Sequence, residues 1–495
     1  MLYDVAVIGY GPTGATLGNL LAAQGVSVLV IDREAEMYPL PRAVHFDDEV
    51  MRVFQTVGIA EDLQEKVYIN PGMKFVDEDQ NLLLDWPRPQ EITVHGWNAS
   101  YRLHQPDLET LLRDRLEQEA SAEIMTCFDV TSIQEHEDHV TLSGTTQGGK
   151  TEIFKARYLV GCDGANSLTR QVIGGEMDDL GFEERWLVVD ALLKRSRPDL
   201  GDHTMQFCTP DRPMTYCRNP GDRRRWEMTI KDEETDAEIR EPARVWDLLS
   251  RWITPDDAEL ERRAVYTFRS QVATRWRSGR LLIAGDAAHL TPPFMGQGMC
   301  TGIRDAANLA WKLIACLNGA DEALLDTYPA ERAPHARAYV ETATRLGRLI
   351  NTLDRDSALK MAEGQNNGAS QMRSITPELG ASMICATDAH DCVGRPFGQV
   401  DLGQGQRGFD QLIGYSHAVI SPVEPTRMPR GTRWLDPSQH PSLSQALSDL
   451  GTRAIWIRPD RYIGAVSDSG SGLLDQLNPF FDSHQDAKEN ETCLT

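Results

Sequence analysis

The chain has 495 residues, of which 41% are hydrophobic, and a formal net charge of −24 at pH 7. This length predicts two or three domains with sizeable cores, and the acidic surplus argues against nucleic acid and anionic membrane surfaces as partners. No apolar stretch approaches the length of a signal peptide or a membrane span, so we expect a soluble, cytoplasmic protein.

The first element is a strand that runs into a glycine-rich turn, a helix and a second strand, LYDVAVIGYGPTGATLGNLLAAQGVSVLVIDRE. Gly9 would permit the tight turn, Gly11 would let the backbone approach a pyrophosphate, and Gly14 would let helix and strand pack closely. Asp32 ends the second strand, where a carboxylate can hold ribose hydroxyls. A glycine-rich turn in an ordinary α/β core gives no reason for that carboxylate. The segment therefore predicts a Rossmann-like dinucleotide cradle.

Two segments follow within the same predicted domain. Residues 67–99 interrupt the cofactor domain, and we expect them to complete a substrate wall. Tyr158 to Val160 resemble a buried strand that delivers Asp163 and Gly164 into a turn before another helix. Such an Asp-Gly pair is common in simple turns, but here it follows a second buried strand, as the cradle does.

Between Phe182 and Arg269 the chain alternates polar and apolar residues, with Pro and Gly turns between the segments. This pattern predicts an antiparallel sheet. Its apolar members would form a wall for a planar aromatic substrate, with core packing as the alternative. The candidate substrate residues are Met205, Phe207, Tyr216 and Trp226.

A third buried strand, Leu281 to Ala284, ends at Gly285 and Asp286. The PPFMGQG loop leads from there into a helix that begins near Gly298, and the residues of that helix recur at helical spacing. A strand-end carboxylate accepts hydrogen bonds from a sugar-alcohol chain, and a helix N-terminus offers N–H groups to an electron-rich ring.

The last part of the chain, after about Arg348, has weaker motifs. KMAEGQNNGASQMRS is a polar linker, and residues near 394–470 suggest strand, helix and strand elements. The nine cysteines contain no CxxC pair and no metal-ligand spacing with histidine. We therefore expect reduced thiols, no metal site and no dithiol exchange in the C-terminal domain.

Three motifs together resemble the single-component FAD-dependent aromatic hydroxylases, the para-hydroxybenzoate hydroxylase superfamily. They are the opening glycine fingerprint, Cys162-Asp163-Gly164 followed by Arg170, and the GDAAH segment at residues 285–289. PRAVHFDDEVMRVFQ, YRLHQPDLE and MGQGMCTGIRDAANLAWKL most resemble 3-(3-hydroxyphenyl)propionate hydroxylases and their relatives. The resemblance covers roughly residues 1–350.

The resemblance implies a set of cofactor contacts. Asp32 stands where the family usually has Glu, so the ribose contact would be made by a shorter arm. Two of the other implied contacts have structural alternatives, a surface salt bridge for Arg42 and a helix cap for Gln105. The other implied contacts are Arg33, Arg42, Gln105, Asp163, Gly285, Asp286, Gly296, Gly298 and Met299.

The same resemblance implies a reaction. FAD reduced by NADH, preferred here over NADPH, adds O2 to give a flavin C4a-hydroperoxide that hydroxylates a phenolic ring ortho to its hydroxyl. Pro293 and Gly298 would shape the loop around the flavin. His45, Tyr216 and His289 are the candidates for a base that removes the phenolic proton, and none is preferred.

The resemblance also implies an architecture. We expect an FAD-binding domain at residues 1–180 and 270–350, an inserted substrate sheet at 181–269, a linker at 351–380 and a thioredoxin-like domain at 381–495. A 3-(3-hydroxyphenyl)propionate-like phenolic acid is the preferred substrate, and a homodimer is a candidate assembly. A larger polycyclic phenol, an oxidase or dehydrogenase without oxygen insertion, and a flavin-binding scaffold are the alternatives.

Overall fold

The computed structural model describes residues 1–352, 370–371, 374–386, 390–403, 407–425, 428, 431–469 and 472–473. Its strands are β1 (Leu2–Ile8), β2 (Val28–Ile31), β3 (His45–Asp47), β4 (Tyr68–Ile69), β5 (Gly72–Val76), β6 (Leu82–Pro87), β7 (Ser100–Arg102), β8 (Ala122–Met125), β9 (Phe128–Glu135), β10 (Val140–Thr146), β11 (Thr151–Gly161), β12 (Met177–Leu193), β13 (Thr204–Phe207), β14 (Met214–Arg218), β15 (Arg223–Thr229), β16 (Ala258–Ala273), β17 (Arg277–Ser278), β18 (Leu281–Ile283), β19 (His289–Leu290), β20 (Ser370–Gln371), β21 (Ala418–Ile420), β22 (Arg433–Leu435), β23 (Ala454–Ile457) and β24 (Ile463–Ser467).

The α-helices are α1 (Pro12–Ala22), α2 (Asp48–Val57), α3 (Ala60–Gln64), α4 (Gln105–Glu117), α5 (Leu168–Ile173), α6 (Asp236–Ile239), α7 (Pro242–Leu249), α8 (Gly298–Leu317), α9 (Thr327–Thr352), α10 (Gly408–Ile413) and α11 (Pro441–Asp449). Within the described residues, none of these helices is both long enough and apolar enough to cross a membrane. Most of the predicted linker at 351–380 lies outside the described residues.

The first sheet has a parallel centre in the order β18-β11-β1-β2-β8. In this register Ile8 at the end of β1 lies opposite both Ile31 and Gly161, and Gly161 lies opposite Ile283. Because parallel strands share one carboxyl edge, the turns after β1, β2, β11 and β18 meet there. The sheet is buried because α1, which packs on α8, covers it. The predicted Rossmann-like α/β fold is confirmed.

The second sheet has the order β19-β16-β12-β15-β14-β13-β5-β6-β20. It is antiparallel from β19 through β13, while β13 pairs with β5 in parallel. Strands β5 and β6 of the 67–99 segment thus extend the antiparallel sheet that the sequence predicts for residues 182–269, while β4 joins β7 and β3 in a separate three-stranded sheet. Side chains alternate between the two faces, and one face packs on α6 and α7 through Ile239, Val245 and Leu249.

A C-terminal sheet has the order β22-β21-β23-β24, in which β21 is parallel to β22 and antiparallel to β23. Its thioredoxin-like assignment stays a prediction. The cysteines in the described part of the chain are free thiols, and Cys385 and Cys392 of the C-terminal region are buried.

Buried ion pairs attach the C-terminal region to the preceding domain. Arg52 of α2 donates to both carboxylate oxygens of Asp410, at 2.6 and 2.7 Å. Lys312 of α8 and Arg458 of the C-terminal region approach Glu331 to 2.7 and 2.9 Å. Because an unpaired buried charge is costly, the pairs Arg52–Asp410 and Arg458–Glu331 favour docking of the C-terminal region on the preceding domain.

Candidate functional site

The turn after β1 is tight because two of its glycines leave no room for a side chain. Gly9 has a φ of +103°, and a Cβ there would lie well below 3.0 Å from the Cys162 carbonyl oxygen. A Cβ on Gly14 would lie equally close to the Gly9 carbonyl oxygen. These contacts hold the first turn of α1 against the carboxyl ends of β1 and β11.

Unlike Gly9 and Gly14, Gly11 has open space where a side chain would lie. A Cβ on Gly11 would meet no atom within 4 Å, and Gly11 lines a cavity of about 510 Å³ together with Pro12 and Thr13. It is the N-cap of α1, and no side chain bonds the free N–H groups of the first turn. The helix therefore presents open backbone donors to the cavity, as anion sites at helix N-termini do.

Five predicted cofactor residues lie outside the cavity lining: Gly9 and Gly285, which shape the turns, and Asp32, Arg33 and Asp163. Asp32 accepts hydrogen bonds from the N–H groups of Tyr10 (2.7 Å) and Glu34 (2.9 Å), which fixes its carboxylate at the end of β2. The Arg33 side chain is 73% exposed and pairs with Glu34. Asp163 accepts from Thr169 N at 3.0 Å and so holds the turn that leads into α5.

Arg42 and Gln105 both line the cavity. The Gln105 Oε1 atom accepts from the N–H groups of Arg42 (3.0 Å) and Ala43 (2.6 Å), and its Nε2 donates to Glu109 at 2.7 Å. Gln105 therefore fixes the backbone segment that carries Arg42. The Arg42 guanidinium lies 5.0 Å from the centre of the Tyr38 ring.

The turn after β18 places a carboxylate in the cavity. Asp305 of α8 accepts a hydrogen bond from Gly285 N (3.1 Å) and lies 2.7 Å from His289 Nε2. These two contacts fix the turn against α8. Asp286 itself lines the cavity, and its side chain is exposed to the cavity space. Burial raises the pKa of Asp286, while electrostatic interactions with His289 and Arg42 oppose the shift. His289 does not line the cavity.

The loop from Pro293 to Met299 forms another wall, with Pro293, Gly296, Gly298 and Met299 lining the cavity. His45 holds this loop, since its Nδ1 lies 3.2 Å from the Gly296 carbonyl oxygen and its Nε2 lies 2.8 Å from Ser100 Oγ. A carbonyl oxygen only accepts, so Nδ1 carries the proton and the neutral ring accepts at Nε2. Burial lowers the pKa of His45 to about 3, with the Arg102 and Arg88 charges acting in the same direction.

A buried network connects this loop to the C-terminal region. Tyr462 donates to Glu49 at 2.6 Å, and Arg304 of α8 donates to Glu49 (2.6 Å) and Asp47 (2.7 Å). Gln297, the N-cap of α8, donates to Asp47 at 3.1 Å. The N-terminus of α8 is thus positioned by residues from three separate parts of the chain.

The predicted substrate residues do not line the cavity. Met205, Phe207, Tyr216 and Trp226 lie on the opposite face of the second sheet, in the core that packs on α6 and α7. The hydroxyl of Tyr216 donates to Gly201 O at 3.3 Å on that face. The apolar stripe is therefore core packing, which was the alternative interpretation of the pattern.

The cavity face of the same sheet carries residues that the sequence analysis did not single out. In β13 and β14 these are the immediate neighbours of the predicted residues, because successive side chains point to opposite faces. The sequence signal that could have indicated these lining residues is the recurrence of polar side chains at alternate positions of the predicted strands. The missed lining residues of this sheet are Thr204, Thr215, Cys217, Arg225, Glu227, Arg262 and Tyr266. Arg102, at the end of β7 in the separate β3-β7-β4 sheet, was also missed. Asn70, Met73, Trp86 and Arg88 line the cavity from the 67–99 segment, which the sequence analysis expected to complete the substrate wall.

Known proteins resemble this chain in sequence. The family described as FAD binding domain matches residues 2–343. The probable NADH-specific resorcinol 4-hydroxylase of Rhodococcus jostii is 40% identical over 428 residues, which cover 84% of this chain and 79% of that protein. A 3-(3-hydroxy-phenyl)propionate/3-hydroxycinnamic acid hydroxylase of Mycolicibacterium smegmatis is 37% identical over 72% of this chain, and the match spans 62% of that relative's length.

Solved structures share the fold at lower identity. Aklavinone-11 hydroxylase, solved in a ternary complex with FAD and aklavinone, superposes with a TM-score of 0.79 at 22% identity and covers 97% of this chain and 99% of its own. The p-nitrophenol 4-monooxygenase of Pseudomonas putida DLL-E4 has a TM-score of 0.67 at 22% identity, covering 74% of this chain and 95% of its own.

Proposed function

The chain belongs to the FAD-binding-domain family of flavin-dependent aromatic hydroxylases, and from that premise we propose that it hydroxylates a phenolic ring ortho to an existing hydroxyl. FAD, NADH and O2 are the implied cofactor and co-substrates. The substrate class we propose is a small phenol or phenolic acid, in keeping with the activities for which the two relatives are named.

The cavity suits FAD on its own geometry. Gly11 leaves open space where a pyrophosphate would approach the N-terminus of α1. Asp286 directs a carboxylate into the cavity, where it would accept hydrogen bonds from the sugar-alcohol chain. Thr291 also lines the cavity, and its buried hydroxyl has no hydrogen-bond partner among the described residues. When bound and reduced, FAD supplies the electrons that activate O2.

The protein's own groups would bind and orient the substrate. Trp86, Phe294 and Met295 give the cavity apolar surface that excludes water from the ring. The second sheet provides polar groups at the same cavity, among them Thr204 and Thr215. Convergence of the α1 N-terminus, Asp286 and this mixed wall on one cavity is the observation that carries the proposal.

His45 suits a positioning role better than proton transfer. Both of its ring nitrogens have partners, and its low pKa keeps the ring neutral across the physiological range. We propose that it holds the Gly296 carbonyl, and with it the loop that faces the ring. Tyr216 and His289 lie outside the cavity lining, so the proton of the phenol must leave by another group or by solvent.

The proposal is tested by measuring substrate-stimulated NADH oxidation. FAD-loaded protein is mixed with NADH under isotopically labelled O2, with resorcinol or 3-(3-hydroxyphenyl)propionate as substrate. We expect stimulated NADH consumption and one labelled oxygen in a catechol or triol product. Peroxide formed in the same amount as the NADH consumed, with no labelled product, would show an oxidase instead.

A further inference from the structure

Two arginines of the cavity wall come from different strands and converge near His45. Arg102 ends β7, directly opposite His45 in β3, is only 8% exposed, and donates a hydrogen bond to Thr204 Oγ1. Arg88 follows β6, and its guanidinium lies 4.2 Å from the centre of the Trp86 ring. Both arginines line the cavity, as does Thr204.

The other arginines that line the second-sheet side have carboxylate partners. Arg225 and Arg262 each lie 2.7 Å from Asp190, and Arg269 lies 3.0 Å from Glu183. Glu227, a carboxylate of the cavity wall, pairs with Arg225 at 3.5 Å.

Arg88 and Arg102 lack such a partner. Within the described part of the chain, no carboxylate oxygen lies within 4.0 Å of either guanidinium. Burial lowers the pKa of Arg88 to about 10, and the neighbouring Arg102 charge acts in the same direction. Asp47 and Asp48 oppose this shift from a distance, but neither forms an ion pair with Arg88. Two neighbouring cations without a direct carboxylate partner favour an anion in the cavity beside them.

We propose that Arg102 and Arg88, with the Thr204 hydroxyl, form a subsite for an anionic oxygen of the aromatic substrate. A planar guanidinium offers a fork of N–H donors that matches the two oxygens of a carboxylate or the single oxygen of a phenolate. The anion is therefore either a carboxylate substituent or the ionised ring hydroxyl. The inference rests on the proposed function only in taking an aromatic compound as the ligand of this cavity.

The test is a binding titration of the FAD-loaded protein, followed by the change in the visible flavin spectrum. The ligands are 3-(3-hydroxyphenyl)propionate, its neutral counterpart 3-propylphenol, and resorcinol. The variants are Arg102→Gln, Arg102→Lys and Arg88→Gln. Arg185→Gln is the matched control, because Arg185 belongs to the second sheet, which lines the cavity, but pairs with Asp236 outside the cavity. Flavin content and far-ultraviolet circular dichroism verify that each variant folds.

We expect Arg102→Gln to weaken binding of the anionic ligand about 10- to 100-fold, the loss typical of hydrogen bonds to a charged group. Arg102→Lys keeps the charge and should lose less, and Arg185→Gln should bind as the wild type does. Weakening confined to the phenolic acid identifies a carboxylate. Weakening of all three ligands, together with a higher pH needed for tight binding, identifies a phenolate.

Unchanged affinity for every ligand in Arg102→Gln and Arg88→Gln overturns the subsite. The subsite is also overturned if the variants bind all three ligands equally more weakly and the pH dependence of binding is unchanged, since a packing defect would have that effect. Failure of the proposed function would give a different result from failure of the subsite. If the wild-type protein binds these phenols but they do not stimulate NADH oxidation, hydroxylation is refuted while the binding data still decide the subsite.

Discussion

Gly11→Ala should separate cofactor binding from folding. An added Cβ at Gly11 meets nothing within 4 Å, and the residue has φ −77° and ψ −175°, which alanine adopts without strain. At Gly14 the same Cβ would lie well below 3.0 Å from the Gly9 carbonyl oxygen, a backbone atom that cannot rotate away. Alanine at Gly11 is therefore expected to spare the apoprotein, whereas alanine at Gly14 is not.

The magnitudes follow from these contacts. The free energy of unfolding of Gly11→Ala apoprotein should stay within about 0.5 kcal/mol of the wild type, as for substitutions that touch nothing. For Gly14→Ala the overpacking should cost roughly 1–3 kcal/mol. The methyl at Gly11 keeps a pyrophosphate from the N–H groups of α1, so the Kd for FAD should rise about tenfold or more.

Two measurements on purified apoprotein check this. Urea unfolding gives the stability, and quenching of flavin fluorescence gives the Kd for FAD. Gly148→Ala is the control, since its added Cβ would meet only Thr146 Oγ1, at 3.8 Å, far from the cradle. An unchanged Kd for FAD in Gly11→Ala would refute pyrophosphate binding at this turn. Wild-type stability in Gly14→Ala would refute the close-packing argument.

Three further outcomes are expected. Asp286→Ala should lower the flavin content of the purified protein about tenfold, measured by absorbance, because a cavity carboxylate is lost; full flavin content would contradict this. Tyr462→Phe should cost about 1–2 kcal/mol in urea unfolding, since Glu49 loses a 2.6 Å hydrogen bond; equal stability would show the bond to be dispensable. Burial lowers the pKa of His417 to about 3 from an ordinary value near 6.5, so the wild type loses stability as pH falls from about 6.5 toward 3. His417→Gln should lose about 1 kcal/mol less per pH unit over that window, and parallel pH profiles of unfolding would refute the assignment.

The cradle was predictable because it is local. The order of strand, glycines, helix and Asp32 is contained in one stretch of sequence, and parallel strands bring the Asp163 and Asp286 turns to the same edge. The face of the second sheet was not predictable in this way. Alternation separates Phe207 from its neighbour Gln206, but only packing against α6 and α7 decides which face becomes core.

The cavity arginines are a second feature that the local sequence does not predict. Arg88 and Arg102 resemble surface charges in the sequence, because nothing local marks them as buried. Their convergence depends on the pairing of β7 with β3 and of β5 with β13, strands that are far apart in the sequence. The role of Tyr462 is likewise set by docking of the C-terminal region and has no local signature.

The strand order of the second sheet has a consequence for biosynthesis. Adjacent strands β13 and β5 are separated in sequence by more than a hundred residues, from Val76 to Thr204, and β19 closes the far edge at His289. The other edge strand, β20, pairs with β6 through Ser370 and Gln371. A ribosome must therefore release about three quarters of the polypeptide before the sheet is complete, and such distant pairings form slowly. Until then the incomplete sheet exposes unpaired strand edges to neighbouring nascent chains.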